Sequence, residues 1–286
     1  MAKILDGKAV AAAIKERQVA DVTALKDAGI LPTLAIVRVG ERGDDIAYER
    51  GATKRGESVG VEVRHVQIPA DATQEELLAR IDGINKDDSI HGVLLFRPLP
   101  KHMDDSAICA ALAPEKDVDG ITDGSLAGVF AGKEMGFAPC TAQACMEILN
   151  HYGIDLKGKK AVVIGRSLVV GKPAAMMLIQ KHATVTVCHT RTVDMPAVCR
   201  EAEILIVAAG RAKVVGKDYV SPGQVVIDVG INVDEDGNLC GDVDFGQVEP
   251  IVGAITPVPS GVGTVTTSIL IDHVIAAAER ATIKKR

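Results

Sequence analysis

Short apolar runs alternate with amphipathic stretches along most of the chain, and this alternation restricts the fold more than any other feature. Residues 34–39, 61–68 and 92–96 are strand-like. Residues 7–28, a segment from about Asp45 and a segment after Thr73 carry helical patterns. Gly29 ends the first helix, and Thr73 with Glu76 has the form of a capping pair. The strand pattern restarts at 160–164, 184–188, 204–208, 225–229 and 254–255, and 264–284 reads as a closing helix. Such alternation implies parallel sheets with helical crossovers. The expected fold is α/β, with two α/β domains, the second a doubly wound parallel sheet. Residues 1–140 with 265–286 form the first domain, closed by the C-terminal helix, and 141–264 form the second. The stretch 114–139 reads as loop-rich.

Composition excludes several function classes. A formal net charge of -6 is wrong for a nucleic-acid or anionic-membrane surface. With 2% aromatic residues and no Trp, a base-stacking platform is not expected. The first seven residues lack the apolar core of a signal peptide, and the run 204–209 is too short to span a bilayer. The six cysteines (109, 140, 145, 188, 199 and 240) form no Cys-x-x-Cys pair and have no His at zinc spacing. No metal site is expected. The cysteines read as packed thiols of a reduced, cytoplasmic protein.

The run 161–164 feeds into Gly165-Arg166-Ser167-Leu168-Val169-Val170-Gly171-Lys172-Pro173, followed by a helical pattern. Strand, glycine turn and helix N-terminus form the Rossmann-type arrangement that offers backbone N–H groups to a pyrophosphate. The spacing departs from Gly-x-Gly-x-x-Gly, so a plain strand-to-helix turn stays open. The next strand ends in Cys188-His189-Thr190-Arg191-Thr192, with no carboxylate to bind a ribose 2′-hydroxyl. Arg166, Thr190 and Arg191 suit a 2′-phosphate, favouring NADP over NAD. Arg191 as a solvated surface charge is the alternative.

Several motifs in order carry a resemblance over nearly the whole chain. They are Val39-Gly40 through Tyr48 to Val59-Gly60, Asp117-Val118-Asp119-Gly120, Pro139-Cys140-Thr141, Gly165-Arg166-Ser167, Asp228-Val229-Gly230-Ile231-Asn232, Gly241-Asp242-Val243-Asp244-Phe245 and Pro257-Val258-Pro259-Ser260-Gly261-Val262-Gly263. Together they resemble the bifunctional methylenetetrahydrofolate dehydrogenase/cyclohydrolase family. The resemblance implies a folate-binding catalytic first domain, an NADP-binding second domain and a homodimer. It implies cofactor contacts from Gly165, Arg166, Ser167, Thr190 and Ile231, beside Arg191 read above from its charge. It also implies substrate contacts from Tyr48, Asp119 and the small-residue turn Pro259, Ser260, Gly261, Val262 and Gly263. Tyr48 and Asp119 are the expected catalytic residues, Asp119 pairing with the pterin ring and Asp117 bracing the loop.

The chain departs from the family at the positions that serve hydrolysis. The family carries Tyr-x-x-x-Lys, whereas Tyr48 is followed by Ala52. The family Gln on the third strand is Phe96, and a family Ser ahead of the Tyr is Asp45. Lys54 lies six residues from Tyr48 and so faces elsewhere on a helix. Arg50 and Arg97 stay protonated and are poor bases. Hydride transfer needs positioning and a negative environment, not a base. The expected enzyme is therefore an NADP-dependent methylenetetrahydrofolate dehydrogenase with weak or absent cyclohydrolase, a separate protein supplying that step. The alternatives are a bifunctional enzyme with a replacement base, a dehydrogenase for another pterin carrier, and a non-catalytic folate- or nucleotide-binding regulator.

Overall fold

The computed structural model describes residues 1–284. In chain order, β1 (Lys3–Ile4) and α1 (Gly7–Asp27) precede β2 (Thr33–Val39), α2 (Gly43–Glu57), β3 (Glu62–Ile68), α3 (Gln74–Lys86) and β4 (Gly92–Leu95). Helices α4 (Asp105–Ala111), α5 (Asp123–Ala131) and α6 (Cys140–His151) follow. Then come β5 (Lys160–Ile164), α7 (Gly171–Gln180), β6 (Thr184–Cys188), α8 (Met195–Arg200), β7 (Ile204–Val207) and β8 (Val225–Asp228). The chain ends with β9 (Asn232–Val233), β10 (Leu239–Cys240), α9 (Phe245–Val248), β11 (Ala254–Ile255) and α10 (Val262–Lys284).

These elements form two compact units. One comprises Ala13–Cys140 and the chain from Thr267. Its three-stranded sheet has the order β3-β2-β4, and both pairings are parallel. Every residue of the central strand β2 is buried, as expected for a parallel strand covered on both faces. Leu77, Ile81 and Ile84 of α3 pack with Ala35, Val37, Val93 and Leu95 of the sheet. The capping box at α3 is present: Thr73 Oγ1 accepts from the Glu76 N–H, and the Thr73 N–H donates to Glu76 Oε2 at 2.8 Å.

The other unit comprises Met1–Ala12 and Thr141–Thr266. Its six-stranded sheet has the order β1-β11-β8-β7-β5-β6, parallel throughout. Strand order reverses at β5, which lies between β6 and β7, giving the switch point of a doubly wound sheet. Its core includes Val162, Ile164, Leu205, Val207, Val226 and Ile255.

The structure moves residues 1–12 out of the first domain expected from the sequence. Lys3 and Ile4 pair in parallel with Ala254 and Ile255, which ties the N-terminus to the larger sheet. Residues 285 and 286, placed with the first domain in that reading, lie outside the described residues. The stretch expected as loop also holds a helix, α5, capped by Thr122 Oγ1 on the Ser125 N–H and ended by Gly132 at φ 63°.

Candidate active site

In the unit with the smaller sheet, the candidate site stands at the carboxyl ends of the strands, where open α/β sheets bind ligands. Helix α2 follows β2 there and runs unbroken from Gly43 to Glu57, so Gly51 does not interrupt it. Tyr48 and Ala52 therefore share a face, whereas Lys54 points to solvent. Ala52 is fully buried, and no polar atom from it can reach the site. Phe96 follows β4, and its ring meets Tyr48 edge-on, with centroids 5.7 Å apart and an interplanar angle of 89°. Burial, then Asp119 and Cys140, raise the Tyr48 phenol well above its ordinary pKa, against a hydrogen bond with Thr267. Tyr48 is thus a hydrogen-bonding phenol and not a phenolate.

The two acidic residues of the 117–120 turn have different surroundings. Asp117 is fully buried. Its carboxylate accepts the N–H groups of Ile121 (3.0 Å) and Thr122 (2.8 Å) and the Ser125 hydroxyl (2.6 Å). It braces the loop and the start of α5. Asp119 keeps a partly exposed edge, and among the described residues its hydrogen-bond partner is the Cys140 thiol. Its surroundings are nonetheless poor in water. Burial, reinforced by Asp117, pushes its carboxyl up to about 7, while Cys140 and Arg97 act the other way. Behind it, the Cys140 thiol lies 3.1 Å from the Val118 carbonyl, which also accepts from His273 Nδ1 at 2.8 Å. Burial pushes His273 down to about 4, so this imidazole is neutral.

Charged groups frame the same edge. Arg97 pairs two-fold with Asp105, Nε donating to Oδ1 at 2.8 Å and Nη2 to Oδ2. Arg42 Nη1 donates to the Pro98 carbonyl at 3.2 Å, and its Nε lies 3.9 Å from the buried Asp45 carboxylate.

In the other unit, the loop after β5 begins with Gly165 at φ 123°. A Cβ there would collide with the Ala208 carbonyl, and one at Gly171 would collide with the Gly165 carbonyl. Glycine is therefore required where the loop folds against the first turn of α7. Ser167 Oγ accepts the Val170 N–H at 3.1 Å. Arg166 and Ser167 are exposed, as are Thr190 and Arg191 beyond β6. Arg166 makes no ion pair among the described residues. The nearest carboxylate in sequence to the β6 end, Asp194, caps α8 instead.

Two buried aspartates shape the loops after β7 and β8. Asp242 accepts the N–H groups of Ala209 (2.6 Å), Gly210 (2.9 Å) and Arg211 (2.9 Å) and the Asn232 amide (3.0 Å). Asp228 accepts from Gly230, Asp242 and Val243, each at 3.0 Å. Ile231, between these anchors, is 67% exposed. The turn Pro259–Gly263 belongs to this unit: Ser260 stands at φ 79°, its carbonyl accepts the Gly7 N–H at 2.8 Å, and a Cβ on Gly263 would lie 3.0 Å from Ile231 Cδ1.

The structure thus brings Tyr48, Phe96 and Asp119 together in one unit, and gathers Ile231 with Gly263 in the other. Sequence reasoning overlooked Asp228, Asp242, Cys140, His273 and the Arg97–Asp105 pair as site-shaping groups. The structure explains the glycine beside Asp242: a Cβ on Gly241 would collide with Asp228.

Comparison with known proteins agrees with this geometry. Residues 5–119 match the catalytic domain, and residues 139–282 the NAD(P)-binding domain, of the tetrahydrofolate dehydrogenase/cyclohydrolase family. The chain is 56% identical over 281 residues to a protein named bifunctional protein FolD from Carboxydothermus hydrogenoformans, covering 98% of each. The crystal structure of a bifunctional FolD from Campylobacter jejuni superposes with a TM-score of 0.95 at 41% identity, covering 98% of this chain and 99% of that one. A Trypanosoma brucei methylenetetrahydrofolate dehydrogenase-cyclohydrolase, solved with NADP and an inhibitor, superposes with a TM-score of 0.92 at 34% identity, covering 98% of both chains. The chain belongs to the tetrahydrofolate dehydrogenase/cyclohydrolase family.

Proposed function

We propose that this protein oxidises 5,10-methylenetetrahydrofolate to 5,10-methenyltetrahydrofolate with NADP, and hydrolyses the product slowly or not at all. The observation that carries the reading is the Tyr48 face of α2. A phenol and a nearby carboxylate are present, while the flanking positions hold the methyl of Ala52 and the ring of Phe96. Asp119, when ionised, accepts hydrogen bonds from the pterin amide and amino group and offers negative charge to the cationic product. Tyr48 stacks on the folate and hydrogen-bonds near the one-carbon bridge. NADP supplies the hydride acceptor.

The chain's own residues fit that cofactor. The glycines at 165 and 171 let the loop fold closely where a Cβ would collide with backbone, and Arg166 is exposed and has no carboxylate partner among the described residues. Arg166, Thr190 and Arg191 hold the 2′-phosphate, and Gly165 and Ser167 lie along the pyrophosphate. Ile231 and the 259–263 turn serve the reacting end.

Hydrolysis needs proton transfers to and from an attacking water, worth typically 10²–10⁴-fold in rate. Neither Ala52 nor Phe96 can supply one, and Lys54 is on the solvent face. A bifunctional reading keeps one support: relatives such as the C. hydrogenoformans protein carry the name bifunctional. One assay decides. With methylenetetrahydrofolate and NADP, methenyl product accumulates and decays at the spontaneous rate. A robust enzyme-dependent decay would establish the bifunctional reading instead. In the double variant Ala52→Lys with Phe96→Gln, hydrolysis rises above that of Ala52→Lys alone, since a lone lysine lacks its hydrogen-bond partner.

The reading also places the protein in the cytoplasm, beside a separate cyclohydrolase, as a homodimer joined through the second domain. Strand β6 is an outer strand of the six-stranded sheet, with Val187 39% exposed. Light scattering of the purified protein tests the dimer.

A further inference from the structure

Resting on the reading of Asp119 given above, we propose that His273 of α10 is a positioning residue for that carboxylate: its Nδ1–H holds the Val118 carbonyl, from which the Asp119 backbone leaves. Asp117 is oriented by the three donors it accepts. Asp119 has no such set, so its place must come from the backbone that carries it. The Val118 carbonyl and the Asp119 Cα lie in one planar peptide unit, and fixing that oxygen fixes the plane in which Asp119 begins. Two buried donors converge on the oxygen, His273 Nδ1 at 2.8 Å and the Cys140 thiol at 3.1 Å, with Nδ1 and the sulfur 3.7 Å apart. A carbonyl oxygen only accepts, so Nδ1 is the nitrogen that carries the proton.

The imidazole is itself held in place. The Phe137 ring meets it with centroids 4.9 Å apart and planes at 31°, and the Arg280 guanidinium lies 4.4 Å from the centroid of that ring. Arg280 stands about two turns further along α10 and donates to the Gly136 carbonyl at 2.9 Å. The turn is wedged as well. A Cβ on Gly92 of β4 would lie 2.6 Å from Val118 Cγ1 and 3.0 Å from Val274 Cγ2, and one on Gly120 would collide with backbone at Ala138 and Pro139. Cys140, Asp117 and Arg280 are the titratable and charged groups that face His273, and burial keeps its imidazole neutral. A neutral donor orients the turn without setting a positive charge against the cationic methenyl product.

The test uses the full-length protein with methylenetetrahydrofolate and NADP. His273→Leu keeps the bulk and removes the donor. It lowers folate kcat/KM about tenfold, mostly through KM, and leaves the NADP KM unchanged. His273→Asn restores the donor, because its amide nitrogen stands as many bonds from the backbone as Nδ1. Its folate kcat/KM stays within about threefold of the unmodified protein. A residue that merely fills space gives the reverse order, since a buried site accepts Leu more readily than Asn.

A double-variant cycle separates positioning from general loosening. Beside Asp119→Ala, His273→Leu costs no further folate kcat/KM, because no carboxylate is left to place. The reverse order of Leu and Asn, or a tenfold loss that persists beside Asp119→Ala, overturns the proposal. If His273→Leu does not fold, Phe137→Leu decides. It leaves every hydrogen-bonding side chain intact and loosens the imidazole, raising the folate KM about threefold, and that rise vanishes beside Asp119→Ala. No rise, or one that persists there, overturns the proposal. If Asp119→Ala alone keeps normal folate turnover, the reading of Asp119 falls and the proposal with it. If Asp119→Ala loses turnover while His273→Leu is silent, only the present proposal fails.

Discussion

Each unit is organised around buried aspartates, but the aspartates differ in how fully the protein satisfies them. Asp242 receives three backbone N–H groups and one side-chain amide, and Asp228 receives three N–H groups. Asp119 has the Cys140 thiol as its partner and a carboxyl pushed up to about 7. The contrast recurs within one turn, since Asp117 is saturated by Ile121, Thr122 and Ser125. A carboxylate held by three or four N–H and O–H donors of its own loops is architecture. One that is desolvated and under-bonded has acceptor capacity left for something else.

The largest effect that would break this comparison is on stability. Asp242→Ala leaves buried donors without a partner, at about 1–3 kcal/mol each. Thermal or chemical unfolding should show a loss of about 3 kcal/mol or more, with NADP binding weakened as the loops after β7 and β8 loosen. A near-neutral Asp242→Ala would mean that those N–H groups are satisfied in another way.

Next in size is Asp119→Asn, expected to cost about 1.5–3 kcal/mol of transition-state stabilisation, read as folate kcat/KM, while NADP binding is unchanged. If the ionised form is the one that binds the pterin, as proposed above, folate kcat/KM should rise as pH passes upward through about 7. Stability runs the opposite way. Burial raises this carboxyl from 3.8 to about 7, so the folded protein holds a proton there that the unfolded chain has lost. Its contribution to stability is greatest in acid and declines as pH climbs between those values. Asp119→Asn should flatten both trends, and a retained limb near 7 would assign it to another group.

The smallest effect is at the exposed cofactor loop. Arg166→Ala should raise the NADP KM about tenfold, the worth of one charge-assisted contact, with little change for NAD. Equal turnover of the unmodified protein with both cofactors would remove the basis for that contrast.

What could be read from the sequence followed what local spacing controls. Tyr48 and Ala52 on one face of α2, with Lys54 off it, follow from helical geometry once α2 is continuous. The division of labour between Asp117 and Asp119 depends on where the N–H groups of residues 121 and 122 point, which the 117–120 motif does not encode. Helix α5 was hidden by Gly124, Ser125 and Gly128, all poor helix formers. Gly128 is there because a Cβ would collide with the Met135 carbonyl. The β9–β10 hairpin carries an Asp236-Gly237 turn signal, but its two-residue strands are too short to show alternation. The first twelve residues were misplaced because only a long-range pairing, Lys3 with Ala254, shows which sheet they join.

The exposed side chain of Ile231 has a thermodynamic consequence. In the free protein water orders around an apolar group held out on a loop that buried aspartates keep from collapsing inward. A flat heteroaromatic ring laid over it would release that hydration, worth up to about 1.5–3 kcal/mol for a fully covered Ile. Such an association carries a negative heat-capacity change, so its enthalpy grows more favourable as temperature rises. Part of the driving force for binding would then already be stored in the surface of the empty loop.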